Sequence, residues 1–243
     1  MRVRRVVTTR AGGRSTGPYA GFNLSRGVGD DPVAVAANRR RLATELRVRG
    51  VVFLDQVHGA DVAVVDAVPA PGAPDVPAKD AAVTVVPGLA LAVLAADCVP
   101  VLLADPVAGV VGAAHAGRAG AAAGVLEATL TAMAGLGAEA ARSEVLLGPA
   151  ICGACYEVPA AMRAEVDAAL PGSACRTRRG TPGLDLRAGL RTRLAALGVA
   201  RVGVDPRCTA EDPDLYSHRR ASRPGEPGRT GRLAAVTWLD PSR

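Results

Sequence analysis

Short runs of consecutive apolar residues, not alternating or helical stripes, dominate the middle of this chain: 81–86, 89–95, 99–104 and 109–114. Runs this short, rich in Val and Leu and separated in places by Pro-Gly and Asp-Pro steps, predict strands joined by tight turns. Upstream, Asp31 suits an N-cap and Pro32 a first helical turn. Residues 33–46 then read as a helix with Val35, Leu42 and Leu46 on or near one apolar face. Strands are expected at 51–56 and 62–65, a proline-rich surface loop at 69–77, and an alanine-rich helix at 119–133. The last third alternates: strand 144–147, helices 160–170 and 186–197, strands 202–204 and 233–239. No repeat and no internal boundary stands out. The expectation is one α+β domain over residues 1–243, built on a mixed, largely buried sheet.

Composition narrows the function classes. The chain has 243 residues, enough for a substantial core, and 49% are apolar, above the disordered range. The most apolar stretch, 81–96, is broken by Thr84, Pro87 and Gly88 and is too short to cross a bilayer. The basic start, Met1-Arg2-Val3-Arg4-Arg5, leads into no unbroken apolar segment, so a cytoplasmic protein without membrane partners is expected. The formal charge of +6 comes almost wholly from arginine, Lys79 being the single lysine. These arginines are dispersed among acidic residues, and the chain has only six aromatic residues. That pattern reads as composition bias, with no nucleic-acid partner.

Chemistry concentrates at three residues. His58 stands in Asp55-Gln56-Val57-His58-Gly59, Cys98 in Ala96-Asp97-Cys98-Val99-Pro100, and His115 in Ala114-His115-Ala116-Gly117. The chain has only three histidines, and two fall here. Imidazole and thiolate are ligands zinc prefers, and three protein ligands leave one tetrahedral position for water or substrate. Their wide spacing means that only the fold could bring them together. His115 would follow a strand directly and precede a glycine-lined helix start. Asp80 and Asp97 could each orient a ligand histidine, although a turn role explains both equally well. Five cysteines in a chain of this kind do not suggest a disulfide framework. Cys152-Gly153-Ala154-Cys155 has CxxC spacing, but neither a thioredoxin-like unit nor a second CxxC pair accompanies it, so it reads as structural.

Many short segments, in order, carry a resemblance over nearly the whole chain. They are Asn23-Leu24, Gly29-Asp30, Asn38-Arg39, Gln56-Val57-His58-Gly59, Ala96-Asp97-Cys98-Val99-Pro100, His115-Ala116-Gly117, Leu147-Gly148-Pro149, Cys155-Tyr156-Glu157-Val158, Cys208-Thr209, Ser217-His218-Arg219-Arg220 and Thr230-Gly231-Arg232. In these the chain resembles the YfiH family, also called the laccase-domain or multicopper polyphenol oxidase family and linked to purine nucleoside phosphorylase activity. The resemblance implies mixed sheets flanked by helices and a zinc held by His58, Cys98 and His115. It also implies phosphorolysis of adenosine, inosine and methylthioadenosine, with some adenosine deamination. Copper-dependent phenol oxidation is an older family attribution. Where the family commonly reads Trp-Arg-Gly after His-Ala-Gly, this chain has Arg118-Ala119-Gly120, and many members carry Tyr where it has His218.

Phosphate recognition calls for arginine forks, and Arg39, Arg118 and Arg219 are the expected binders, in that order. His218 is a possible acid or base, or a loop residue with no partner. Three rival readings stand beside this one. Cys98 could act as a nucleophile with His115 as its base, in a hydrolase acting on peptidoglycan precursors. Copper could serve phenol oxidation, but three histidines are too few for a multinuclear cluster. A non-catalytic nucleoside binder is the third.

Overall fold

The computed structural model describes residues 1–241. In chain order it forms β1 (Arg2–Val7), α1 (Pro32–Leu46), β2 (Gly50–Phe53), β3 (Val62–Val64), β4 (Ala81–Thr84), β5 (Leu89–Ala95), β6 (Val99–Asp105) and β7 (Val110–Ala116). There follow α2 (Arg118–Ala122), α3 (Val125–Gly135), β8 (Glu144–Leu147), α4 (Ala160–Ala169), β9 (Ala174–Arg176), β10 (Pro182–Leu184), α5 (Leu186–Ala196), β11 (Arg201–Val204), α6 (His218–Ala221) and β12 (Leu233–Asp240).

Two mixed sheets stack face to face. One runs β1-β12-β5-β2 and the other β11-β8-β6-β7-β4-β3, with β9 and β10 as a separate hairpin. Alternate residues of β5 explain its unbroken apolar run. Leu89, Leu91 and Val93 point between the sheets and meet Leu102, Val111 and Ala113. Ala90, Ala92 and Leu94 point the other way, into a cluster that includes Leu42 and Leu46 of α1. Likewise Val99, Val101 and Leu103 of β6 leave the inter-sheet layer and pack among Val125, Met133 and Leu190 of the helices on the far side. Both faces of both sheets are therefore covered, which is why the strands read as continuous rather than alternating patterns. The expected α+β domain of buried mixed sheets with flanking helices is what the structure shows.

Local differences have local causes. The single helix expected at 119–133 is two, because Gly124 sits at a φ of 89° and breaks the run before α3 starts. The second strand stops at Phe53, three residues earlier than expected. Strand β1 lies outside the expected elements, since its three arginines and three valines, Arg-Val-Arg-Arg-Val-Val, do not alternate strictly. Its register against β12 places Arg4 opposite Trp238, and Arg4 pairs with Asp240 at the strand edge. The β9–β10 hairpin was missed for its brevity.

This arrangement places the three singled-out residues at one end of the sheets. Cys98 lies in the three-residue link from β5 to β6, which crosses from one sheet to the other. His115 is the next-to-last residue of β7, and the antiparallel β6–β7 register sets it opposite Pro100. His58 lies on the connection from β2 to β3.

Candidate active site

The ligand atoms of His58, Cys98 and His115 all lie within 4.8 Å of one another. Cys98 Sγ is 3.8 Å from His58 Nε2, and the two imidazole rings meet edge to face at 4.7 Å. Nitrogen and sulfur ligands of one tetrahedral zinc stand about 3.6 Å apart, so the trio needs only small adjustments to share a cation. His115 is buried, Cys98 half-buried and His58 exposed, so the cluster opens to solvent on one side. A Cβ added to Gly117 would fall 2.7 Å from His58 Cδ2 and 3.1 Å from Cys98 Sγ. That residue keeps the centre of the cluster free of carbon.

Asp80 organises the cluster from behind. Its fully buried carboxylate accepts hydrogen bonds from the backbone N–H of Val57, His58 and Gly59 at 3.1, 2.9 and 2.7 Å. It also meets His115 Nδ1 at 2.8 Å, which leaves Nε2 for the cluster. One buried anion thus orients one histidine and fixes the loop carrying the other, whose backbone is left-handed at a φ of 62°. Of the two carboxylates that could have served, Asp80 has this place. Asp97, also left-handed at a φ of 98°, instead binds Thr209 Oγ1 and the Arg219 N–H, each at 2.6 Å.

Electrostatics follow from this packing. Burial pushes the Cys98 thiol up, but hydrogen bonds and charge from His115 and His58 overcome it and bring the thiol down to about 6. Burial also opposes the charged form of His115, yet Asp80 and Cys98 raise it to about 9. The Asp80 carboxyl lies below its usual range despite burial, held by His115 and by the Gly59 and Val57 amides. Without a cation the cluster is therefore a thiolate–imidazolium pair at neutral pH.

The cluster forms part of the wall of a cavity of about 650 Å³. Its lining includes Asp55, Gln56, Asp75, Asp97, Arg118, Ile151, Tyr156, His218, Arg219 and Arg232. Arg219 donates to the Glu157 carbonyl at 2.9 Å, and its guanidinium lies 5.1 Å from the centre of the Tyr156 ring. Arg118 flanks the same tyrosine, whose hydroxyl is pushed up by burial and by the Cys98 charge and partly restored by Arg118 and Arg219. Arg39, placed first among the expected phosphate binders, is elsewhere. It is buried, stacked on Phe53 at 3.8 Å and bonded through both terminal nitrogens to Asp75 at 2.5 and 3.0 Å. Its partner lies in the proline-rich loop, so Arg39 supports the cavity wall through Asp75 and does not line it. Arg232 lines the cavity but was noted only as part of a motif. It is near enough to Cys98 and Asp97 that their charges favour its charged form, against the burial that lowers it.

Fold and site together define a two-sheet protein with a solvent-open cluster of two His and one Cys, a ligand set that could hold a metal, on the wall of an arginine-bearing cavity. A family model described as multi-copper polyphenol oxidoreductase laccase matches residues 4–240. The chain belongs to this family, which also contains the YfiH proteins. A Corynebacterium glutamicum protein named purine nucleoside phosphorylase is 54% identical over 98% of this chain and 94% of its own length. A Mycobacterium tuberculosis protein of the same name is 53% identical over 99% of this chain and 93% of its own length. Among solved structures, YlmD from Geobacillus stearothermophilus superposes with a TM-score of 0.85 at 35% identity, covering 98% of this chain and 92% of that one. The Bacillus licheniformis protein YfiH superposes with the same TM-score at 29% identity, covering 98% and 93% of the two chains.

Proposed function

We propose that this protein is a purine nucleoside phosphorylase whose reaction centre is a cation held by His58, Cys98 and His115. The observation that carries the reading is the convergence of three borderline-soft ligand atoms on the wall of a cavity that also presents Arg118, Arg219 and Arg232. Two imidazoles and a thiolate suit zinc. When bound, the cation supplies Lewis-acid polarisation of a substrate oxygen or of water. Asp80 keeps His115 in the tautomer that offers Nε2.

Phosphorolysis requires phosphate to attack C1′ of the ribose while the purine leaves. Positive charge then develops on the sugar ring and negative charge on the departing base. Arg118 and Arg219 are the phosphate binders in this reading, because planar forks bind two oxygens at once and both residues face the cavity beside Tyr156. Arg39 acts at one remove, by holding Asp75. The Tyr156 ring, stiffened by Arg219, offers the purine an aromatic surface where Arg118-Ala119 replaces the family's Trp-Arg. In this reading His218, exposed on the cavity rim at the start of α6, is the acid that protonates the leaving base. Adenosine, inosine and methylthioadenosine are the expected substrates, with adenosine deamination as a side activity.

Incubating the purified protein with each nucleoside, with and without phosphate, and identifying the products tests the proposal. Base release should require phosphate and vanish in Cys98→Ala and in His115→Ala. Release undiminished in both variants would overturn the assignment.

One observation favours a second reading. The thiolate–imidazolium character of Cys98 and His115 is what a cysteine hydrolase needs. Protein without zinc at Cys98 that becomes acylated there by a peptide substrate would support it, and a zinc ion that is lost in Cys98→Ala would count against it. Phenol oxidation by several coppers finds less support, because only His218 remains once His58 and His115 are assigned.

A further inference from the structure

Four of the five cysteines gather on the far side of the cavity wall, where the proposed reaction has no use for them. Cys152 and Cys155 stand on one turn after β8, closed by the Cys155 N–H donating to the Cys152 carbonyl at 2.9 Å. Cys208 and Glu211 stand on a second turn of the same spacing, closed by the Glu211 N–H donating to the Cys208 carbonyl at 3.1 Å. The two turns face each other. The three sulfurs and a Glu211 carboxylate oxygen all lie within 4.8 Å of one another. The Cys152 backbone N–H donates to Cys208 Sγ at 3.3 Å, a contact that favours a thiolate. Arg178 pairs with Glu211 from outside and fixes the carboxylate beside the sulfurs. Cys175 stands behind the first turn, with its thiol aimed at the Gly153 carbonyl, and is not one of the converging group.

We propose that Cys152, Cys155, Cys208 and Glu211 bind a second divalent cation, zinc by ligand type, as a structural site distinct from the His58–Cys98–His115 centre. Three thiolates and a carboxylate are four protein ligands, which closes a tetrahedral shell and leaves no place for substrate. Sulfurs sharing one zinc stand about 3.8 Å apart, so the turns have only to close by about an ångström. The paired turns have the form of a zinc knuckle in which a glutamate replaces one cysteine. The cation would clamp the turn bearing Ile151 and Tyr156 to the loop bearing Thr209, which in turn bonds Asp97 beside Cys98. The proposal does not depend on the nucleoside reading and fails or stands separately from it.

Zinc bound per chain, measured by elemental analysis after dialysis against zinc and then buffer, tests it. Wild-type protein should retain about two ions. The double variant His58→Ala/Cys98→Ala should retain about one, and its cobalt form should show the near-ultraviolet thiolate-to-cobalt band. Adding Cys208→Ser should abolish both the ion and the band, whereas adding Cys175→Ser should leave them. Because loss of Cys208 could unfold the chain, Glu211→Gln serves as the milder variant, expected to stay folded by circular dichroism and to lose at least about tenfold in zinc affinity, the least that loss of an outer-shell partner costs. A folded double variant that retains no zinc would overturn the proposal. So would a disulfide among Cys152, Cys155 and Cys208 in freshly purified zinc-free protein.

Discussion

Replacing Asp80 by asparagine probes the centre most sharply, because it keeps shape and removes only the acceptor pattern. Four donors meet this carboxylate: His58 N–H and His115 Nδ1 at one oxygen, Val57 N–H and Gly59 N–H at the other. An amide has one oxygen to offer. Turning its NH2 toward Val57 and Gly59 would set two donor pairs against each other. Turning it toward His58 and His115 sets only one, provided that His115 changes tautomer and accepts at Nδ1. The second arrangement is therefore favoured, and it puts the imidazole proton on Nε2, the atom that faces Cys98. A cation at Nε2 must then leave the remaining proton on Nδ1, where it meets an amide N–H in place of an acceptor, and the His58 loop loses a charge-assisted anchor. Losses of this kind reduce metal affinity by about 10- to 100-fold, or about 1.4 to 2.7 kcal/mol. The orphaned amide removes about 1–3 kcal/mol of folding stability in addition. Competition against a chromophoric chelator measures the first effect and denaturant unfolding of the metal-free protein the second. Wild-type zinc affinity in a folded Asp80→Asn protein would refute the argument that this carboxylate sets the tautomer.

Four further outcomes are expected. With His115 raised to about 9, a cation binding below that pH must expel its proton, so affinity should weaken about tenfold per pH unit from pH 9 downward and more steeply below about 6, where Cys98 also protonates; a flat profile between pH 7 and 8 in chelator competition would contradict this. In the metal-free protein the His115 contribution to stability is complete below its ordinary value of 6.5 and fades as pH rises through about 9, while that of Cys98 is complete above 9.0 and fades as pH falls through about 6. Thiolate absorbance should accordingly titrate near pH 6 and move upward in His115→Ala. Gly117→Ala should abolish metal binding at the His58–Cys98–His115 centre while the protein stays folded and keeps the ion expected at Cys152, Cys155, Cys208 and Glu211, since the added carbon would lie 2.7 Å from the His58 ring; a Gly117→Ala protein with the wild-type zinc content counts against the cluster geometry. Arg219→Met should raise the KM for phosphate by at least about tenfold, the loss of one charge-assisted contact, and leave zinc content unchanged; an unaltered phosphate KM would remove Arg219 from the site.

The trio was legible because its chemistry is scarce in this sequence. Two of three histidines fell in the trio, His58 beside Gly59 and His115 at the end of an apolar run, with Cys98 between two such runs, and strand ends are where buried sheets meet solvent. The resemblance named the same residues. Side chains whose role depends on a distant partner were harder to read. Arg39 looked like a free cation until Asp75, thirty-six positions away in a loop without periodicity, turned out to hold it. Asp80 read equally well as a turn residue or as a carboxylate orienting a ligand histidine, and nothing local foretells that four donors converge on it. The CxxC turn lacked an evident second pair because its counterpart is Cys208-x-x-Glu211, with a glutamate where a search for cysteines would stop. In the fold, the doubly buried strands were plain from their continuous apolar runs. The break in the helix after β7 was not, since the alanines and glycine of 119–123 before Gly124 carry no stripe to interrupt.

The central claim is that the cation held by His58, Cys98 and His115 is the seat of phosphorolysis. Its most direct test is the rate of ribose 1-phosphate formation from inosine and phosphate, followed as metal-stripped protein is reloaded with zinc. The account predicts a rate that rises in proportion to occupancy of this centre, with none in Cys98→Ala at any zinc concentration. Full activity in stripped protein, or in loaded Cys98→Ala, would contradict it.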